Sequence, residues 1–369
     1  MKALREVDRG FPGTIDTLQE LIRQPSVSAK NEGIEECALL VHRILKRSGI
    51  TPEILRIKGA APLVYGEVRS RANPGRTLLF YNHYDVQPAE PLDPWDHPPF
   101  GGTVRGNKIF GRGATDDKGE LVTRIKAVEA CLRAEGDVPC NVKFVIEGEE
   151  ETGSEHIGAY LKKYRKKFAC DGVIWEFGYV DSSDRPVISL GMKGLLYVEL
   201  SVTGANQDAH SSLAVLIENP AWRLVCALNT MRGPAGTVLI KDWYREVKPL
   251  GKRDVRLVSK EPFDEAAFRR EFGIDRFVGG IRGTAAKKAL VSGATCNIAG
   301  FHSGYGGEGA KTVLPAKAVA KVDFRLVPGM DPKKQEARLR RHLLSHGFGD
   351  ISVKVFHGEA AARTDLGTS

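Results

Sequence analysis

Apolar residues recur along the chain with two periods, and the alternation between them lays out the fold. Residues 13–24 and 32–47 carry apolar side chains at helical spacing, the second with Ile34, Cys37, Leu40, Val41, Ile44 and Leu45 on one face. Segments 62–68 and 77–82 (TLLFYN) are short, nearly continuous apolar runs, and the second is bounded by Pro74-Gly75 and a polar loop, as a buried strand would be. Helix 118–134, strand 141–147, helix 154–167 and strand 172–177 follow. Strands separated by crossover helices predict a parallel or mixed sheet with helices on its faces.

After about residue 190 the order changes to strand 193–203, helix 219–231, strands 294–301 and 317–326, helix 332–346 and strand 351–356. This β-α-β-β-α-β order is the ferredoxin-like split unit, with an insertion at 232–293. The expected fold class is therefore α/β: a mixed, mostly parallel sheet with helices on both faces over residues 1–190, then a ferredoxin-like α+β domain over 191–357, then a tail at 358–369. The length of 369 residues agrees with two domains.

Composition narrows the class. An apolar share of 42% and a charged share of 27% are ordinary for a soluble globular protein and exclude collagenous, disordered and membrane classes. No apolar run reaches the roughly eighteen residues of a membrane span, and residues 1–10 lack the apolar centre of a signal peptide, so a cytoplasmic setting is expected. The six cysteines are scattered without a C-x-x-C pair, which excludes a zinc ribbon. The net charge of +8 and the basic run 162–167 (KKYRKK) lack the interleaved aromatics of a nucleic-acid surface, so no nucleic-acid partner is expected. Gly304, Gly306 and Gly309 spell G-x-G-x-x-G, but a strand pattern follows where a nucleotide-binding loop would open a helix.

Ligands bind beyond the carboxyl ends of strands in such sheets. The residues predicted at those ends are His83 and Asp85, the acids Glu149, Glu150 and Glu151, and Glu176, with Asp116 and Asp117 just before a helix that starts at the same edge. One imidazole with Asp and Glu ligands suits zinc, cobalt or manganese better than magnesium. Of the adjacent pair Glu150 and Glu151, one can bind metal while the other handles a proton; Asp85 can orient the His83 ring, and Asp116 could be shared by two ions. Taken singly, each has an ordinary explanation, such as a helix start capped by Ser154 with acids near its positive end. Their convergence on one edge is the functional signal.

Three segments carry a resemblance: His83-Tyr84-Asp85-Val86-Gln87-Pro88, Gly111-Arg112-Gly113-Ala114-Thr115-Asp116-Asp117-Lys118-Gly119, and Glu147-Gly148-Glu149-Glu150-Glu151-Thr152-Gly153-Ser154. From about residue 14 to its end the chain resembles the M20 metallopeptidases, most of all the cytosolic non-specific dipeptidase and carnosinase branch. The resemblance implies a hydrolase that cleaves a small peptide bond with two zinc ions per subunit, manganese or cobalt being possible. His83, Asp116 and Glu176 would bind the first ion, and Asp116 with Glu151 the second. Asp85 would orient His83, and Glu150 would be the general base. It also implies a cis peptide between Asp116 and Asp117. In the second domain, a lid that would form a homodimer, His210 would reach the neighbouring subunit's active site and steady the oxyanion, while Arg325, with Thr312, would grip the substrate carboxylate.

The chain departs from the family pattern at its end. Members return from the lid to the catalytic domain and there add a late His that completes the second metal site, and this sequence stops at Ser369. The expectation is a shortened member whose second site lacks one ligand and whose activity alone is low or absent. An amidohydrolase acting on N-acyl or N-succinyl amino acids, or a catalytically silent dimerisation module, are the alternatives.

Overall fold

The computed structural model describes residues 2–176, 178–180, 185–365 and 367. The chain divides into two compact units, Met1–Ile188 and Ser189–Ser369. Among the described residues no helix is long and apolar enough to cross a membrane, and the six cysteines are all unpaired.

The first unit begins with helices α1 (Lys2–Arg23) and α2 (Ile34–Arg47), followed by strands β1 (Thr51–Leu55), β2 (Leu63–Val68) and β3 (Thr77–His83). A small hairpin, β4 (Thr103–Arg105) and β5 (Lys108–Phe110), precedes α3 (Lys118–Glu135), β6 (Asn141–Glu147), α4 (Ile157–Lys163) and β7 (Gly172–Ile174). The sheet order is β1-β2-β6-β3-β7. β1, β2 and β6 pair antiparallel, whereas β6, β3 and β7 pair parallel, so the sheet is mixed.

Period-2 alternation decides which side chain goes to which face. Val64, Val142, Phe144 and Ile146 point to one side and pack with Leu21, Ile44 and Ile125 of the first three helices. Leu63, Tyr65, Leu79, Tyr81 and Val145 point to the other and pack with Tyr160 of α4 and Phe168. Both faces are therefore covered. β7 is an edge strand, and its Val173 and Ile174 are 50% and 44% exposed.

In the first unit the pattern and the structure differ in several places. Helix α1 starts at Lys2 rather than residue 13, running through Pro12; Leu4, Val7 and Phe11 of its first half are at helical spacing but exposed. β1 was masked by Pro52, which an edge strand tolerates because its outer side needs no hydrogen bond. α4 spans Ile157–Lys163 rather than 154–167, and its N-cap is His156, not Ser154. β7 ends at Ile174, and Phe177, the predicted strand end, lies outside the described residues.

Two short ladders precede the larger sheet of the chain's second half: β8 (Tyr179–Val180) pairs with β9 (Pro186–Val187), and β10 (Gly191–Met192) pairs with the late strand β17 (Ala362–Arg363). The second unit continues with β11 (Gly194–Thr203), β12 (Ala209–His210) and α5 (Pro220–Met231). The insertion then forms α6 (Lys252–Lys260), α7 (Glu265–Glu271) and α8 (Gly283–Ser292). After it come β13 (Asn297–Ser303), β14 (Val313–Leu314), β15 (Lys317–Leu326), α9 (Pro332–Ser345) and β16 (Ser352–Glu359). The sheet order β13-β15-β11-β16, antiparallel throughout, is the ferredoxin-like arrangement. β11 and β15 alternate strictly, turning Val198, Leu200, Val322 and Phe324 onto Leu224 of α5 and Leu339 of α9.

The insertion is part of this core, because Trp243 is 1% exposed with its ring 4.7 Å from that of Phe324. Replacing Trp243 by Ala is expected to cost about 3–5 kcal/mol of stability, read as a lower urea midpoint. An unchanged midpoint would mean that the insertion only lies on the surface.

Candidate metal centre

Each strand end delivers its residue for a local reason. β3 is fully paired with β6 through His83↔Glu147, and the Tyr84 N–H continues the ladder to the Glu147 carbonyl at 2.8 Å, which fixes His83 as the last ordered strand residue. Gly148 then lets the chain turn beside the Tyr84 phenol, since a Cβ there would lie 2.2 Å from its oxygen. The turn brings Glu149, Glu150 and Glu151 to the same edge. On the remaining side, buried Lys118 donates to the carbonyls of Leu21 and Gln24 at 3.0 and 2.7 Å, pinning the start of α3 directly after Asp116 and Asp117. The Asp116–Asp117 peptide is cis, as the resemblance implied.

His83 is the hub. Its side chain is 1% exposed, and Nε2 lies 2.9 Å from Asp116 Oδ1, 3.6 Å from Glu176 Oε2 and 3.9 Å from Glu150 Oε2. On the opposite nitrogen, Nδ1 lies 3.0 Å from the Asp85 carbonyl and 3.4 Å from Asp85 Oδ1. A ring that donates from Nδ1 keeps the Nε2 lone pair for a cation. Asp85 does more than hold the ring: its two carboxylate oxygens accept the backbone N–H groups of Glu150 and Glu151 at 3.2 and 3.1 Å. One buried carboxylate thus sets both the imidazole and the acidic turn.

Asp116 faces two ways, touching His83 and, with Glu151, Gln87 and Arg112, lining a cavity of about 290 Å³. Within that cavity Gln87 Nε2 donates to Glu151 Oε2 at 2.8 Å. The sequence reading gave no role to Gln87, Asp117 or Glu147. Asp117 is buried and accepts the His83 N–H at 2.9 Å and the Asn82 amide at 2.7 Å. Glu147 accepts from Tyr81 and, at 2.9 Å, from the Ser154 hydroxyl, which is therefore occupied away from any helix start.

The residues fit a divalent cation. Among the described residues Glu176 Oε2 and Asp117 Oδ1 are buried without a hydrogen-bond partner, and His83, Asp117 and Glu176 each offer an atom within 4.8 Å of the others. Carboxylates crowd one imidazole, and their charges are costly there. Burial pushes Glu176 up to about 8, reinforced by Glu150, Asp117 and Asp116. Burial likewise pushes Asp117 and Glu147 up to about 7 and raises Glu150 and Glu151. Burial works against charge on His83, but hydrogen bonds to Asp116 and Asp85 outweigh it and hold the imidazolium up to about 12.

All these pKa values are raised above those of the unfolded chain. Their stabilisation of the metal-free fold is complete below the unfolded pKa values and is lost as pH rises through about 7 to 8 for the acids, and higher for His83. A cation acts in the opposite sense, because its ligands must give up protons. The rise in thermal midpoint produced by a fixed excess of zinc is therefore expected to grow between about pH 6 and about pH 8. A rise that shrinks over that range would contradict this assignment of ligands.

In the second unit, His210 and Thr312 come together: β12 pairs with β14, and His210 Nε2 lies 3.4 Å from Thr312 Oγ1, with Nδ1 2.8 Å from Ser212 Oγ. Arg325 is not in that cluster. It is exposed near the far end of β15, eight residues or about 26 Å along the strand from Lys317.

A mixed α/β sheet that gathers imidazole and carboxylates at its carboxyl edge is an architecture of metallopeptidases. Residues 79–365 match Peptidase family M20/M25/M40, and the chain belongs to that family. It is 31% identical over 285 residues to the human Beta-Ala-His dipeptidase, covering 76% of this chain and 56% of that protein. The fold matches the M20 family metallo-carboxypeptidase Sso-CP2 from Sulfolobus solfataricus with a TM-score of 0.88 and 38% identity, over 96% of this chain and 80% of that one. It matches human carnosine dipeptidase 1 with a TM-score of 0.80 and 26% identity, over 99% and 81%. The chain spans 56–60% of the length of the first curated relatives it matches.

Proposed function

We propose that this protein is a metal-dependent peptidase that hydrolyses the amide bond next to a residue carrying a free carboxylate. The observation that carries the reading is the convergence of Asp116, Glu150 and Glu176 on His83 Nε2, with Asp85 behind the ring. His83, Asp116 and Glu176 would hold one ion, and Asp116 with Glu151 a second. Zinc suits this donor set, with manganese or cobalt as substitutes. A bound ion supplies Lewis acidity toward the scissile carbonyl and toward water.

The chain's own residues do the rest. Glu150, raised by burial and by neighbouring acids, accepts a proton from the attacking water and returns it to the departing amine. Asp85 keeps the His83 ring in one tautomer. His210, seconded by Thr312, would serve the neighbouring copy's centre by donating to the developing oxyanion there, and Arg325 would offer its guanidinium fork to the substrate carboxylate. The second unit acts as a lid through which two copies form a homodimer, and the unpaired cysteines suit a cytoplasmic setting.

A dipeptidase and a carboxypeptidase, two of the activities named among the relatives, both act beside a free carboxylate. The test is hydrolysis of unmodified dipeptides with zinc or manganese, against the same peptides amidated at the carboxyl end. Turnover that falls strongly on amidation supports the reading. Turnover confined to N-acyl or N-succinyl amino acids, or none with any metal, contradicts it.

A further inference from the structure

Two strands that carry proposed ligands, β3 and β7, stop pairing before they reach them. Their parallel register ends at Phe80↔Ile174, three residues short of His83 and two short of Glu176. On its other side β3 remains paired through His83. The edge of the sheet is thus open where ligand spacing matters most, and a displacement of about 1 Å there would spoil a metal site.

One side chain of α3 closes that opening. Arg124 Nη1 donates to the Tyr81 carbonyl at 2.8 Å and to Asn82 Oδ1 at 3.0 Å, while Nη2 donates to the Trp175 carbonyl at 2.7 Å. The fork therefore ties the residue two before His83 to the residue immediately before Glu176. Asn82 extends the tie, because its amide donates to the Asp117 oxygen that also accepts the His83 N–H. Beyond Glu176, the Glu120 carboxylate accepts the Gly178 N–H, and Glu120 is itself paired with Arg124 at 2.9 Å. Both side chains are largely buried, at 13% and 18% exposure.

We infer that the Arg124–Glu120 pair is a positioning clamp that sets the separation of His83 and Glu176 and so tunes metal binding. Neither residue is among the proposed metal ligands or substrate-binding side chains. The chemistry requires a planar fork: Nη1 and Nη2 reach two carbonyls on separate strands while the charge is balanced by Glu120, and an ammonium group cannot span both. The inference rests on the metal-site reading above.

Cobalt is the probe, since its visible absorption reports coordination geometry without any need for turnover. Arg124→Met is expected to weaken Co²⁺ binding about 10–100-fold and to shift the absorption bands. Arg124→Lys should fall between it and the wild type, and Glu120→Gln should weaken binding several-fold by loosening Gly178. Wild-type affinity and spectrum in Arg124→Met, even with a lower melting temperature, would make the pair merely structural and overturn the clamp. If Arg124→Met does not fold, Arg124→Lys and Glu120→Gln decide by the same criteria. Absence of cobalt bands in the wild-type chain would overturn the metal reading itself, and the clamp with it.

Discussion

Replacing Glu150 by Gln is expected to lower the turnover of a cleaved dipeptide by about 10²–10⁴-fold while leaving the bound metal unchanged. The amide matches the carboxylate in shape, so packing of the turn is retained. The backbone bonds from Glu150 and Glu151 to Asp85 involve main-chain N–H groups and persist as well. What disappears is a proton acceptor 3.9 Å from His83 Nε2 on a carboxylate that is not tied to a neighbouring amide as Glu151 is tied to Gln87. Steady-state rates and metal analysis on the same preparation check both halves. An active Glu150→Gln protein would assign proton transfer elsewhere, and loss of metal would make Glu150 a ligand.

The second large effect is expected at Asp85. Its carboxylate is 0% exposed and serves His83 Nδ1 together with two backbone N–H groups of the acidic turn. Asp85→Asn keeps the volume but offers one acceptor oxygen and an amide that clashes electrostatically with the remaining donors. Metal affinity should drop about 10–100-fold, because the ring keeps the Asp85 carbonyl on Nδ1 but loses the carboxylate charge beside it, and the acidic turn loses its anchor. Asp85→Ala should add a folding cost of about 1–3 kcal/mol for each buried donor left unpaired. Calorimetric titration and urea unfolding separate the two contributions. If Asp85→Ala matched the wild type in both, Asp85 would have no organising role.

Much of this centre is legible in the sequence because its ligands sit at element boundaries, where residue type changes abruptly. The run TLLFYN is followed at once by His83, and the apolar stretch of β6 ends in Glu147 and the acids after it. Adjacent identical residues are where reading fails. Asp116 and Asp117 look alike in sequence, yet Asp117 is 2% exposed and uses one oxygen for both the His83 N–H and the Asn82 amide, its other oxygen being buried without a partner among the described residues, while Asp116 faces the cavity. Ser154 reads as a helix cap, and only the fold reveals that its hydroxyl is bound to Glu147. Arg124 is equally silent, since an arginine on a helix is ordinarily a solvated one. Its role depends on where two distant strands stop pairing, which no local pattern encodes.

The central claim is that the carboxyl edge of the first unit binds a divalent cation through His83 and the acids around it. Calorimetric titration of zinc into chelator-stripped protein tests it most directly, with His83→Ala alongside. The account predicts saturable binding of at least one ion per chain, lost in His83→Ala. Heats no larger than those of buffer, or undiminished binding without His83, would contradict it.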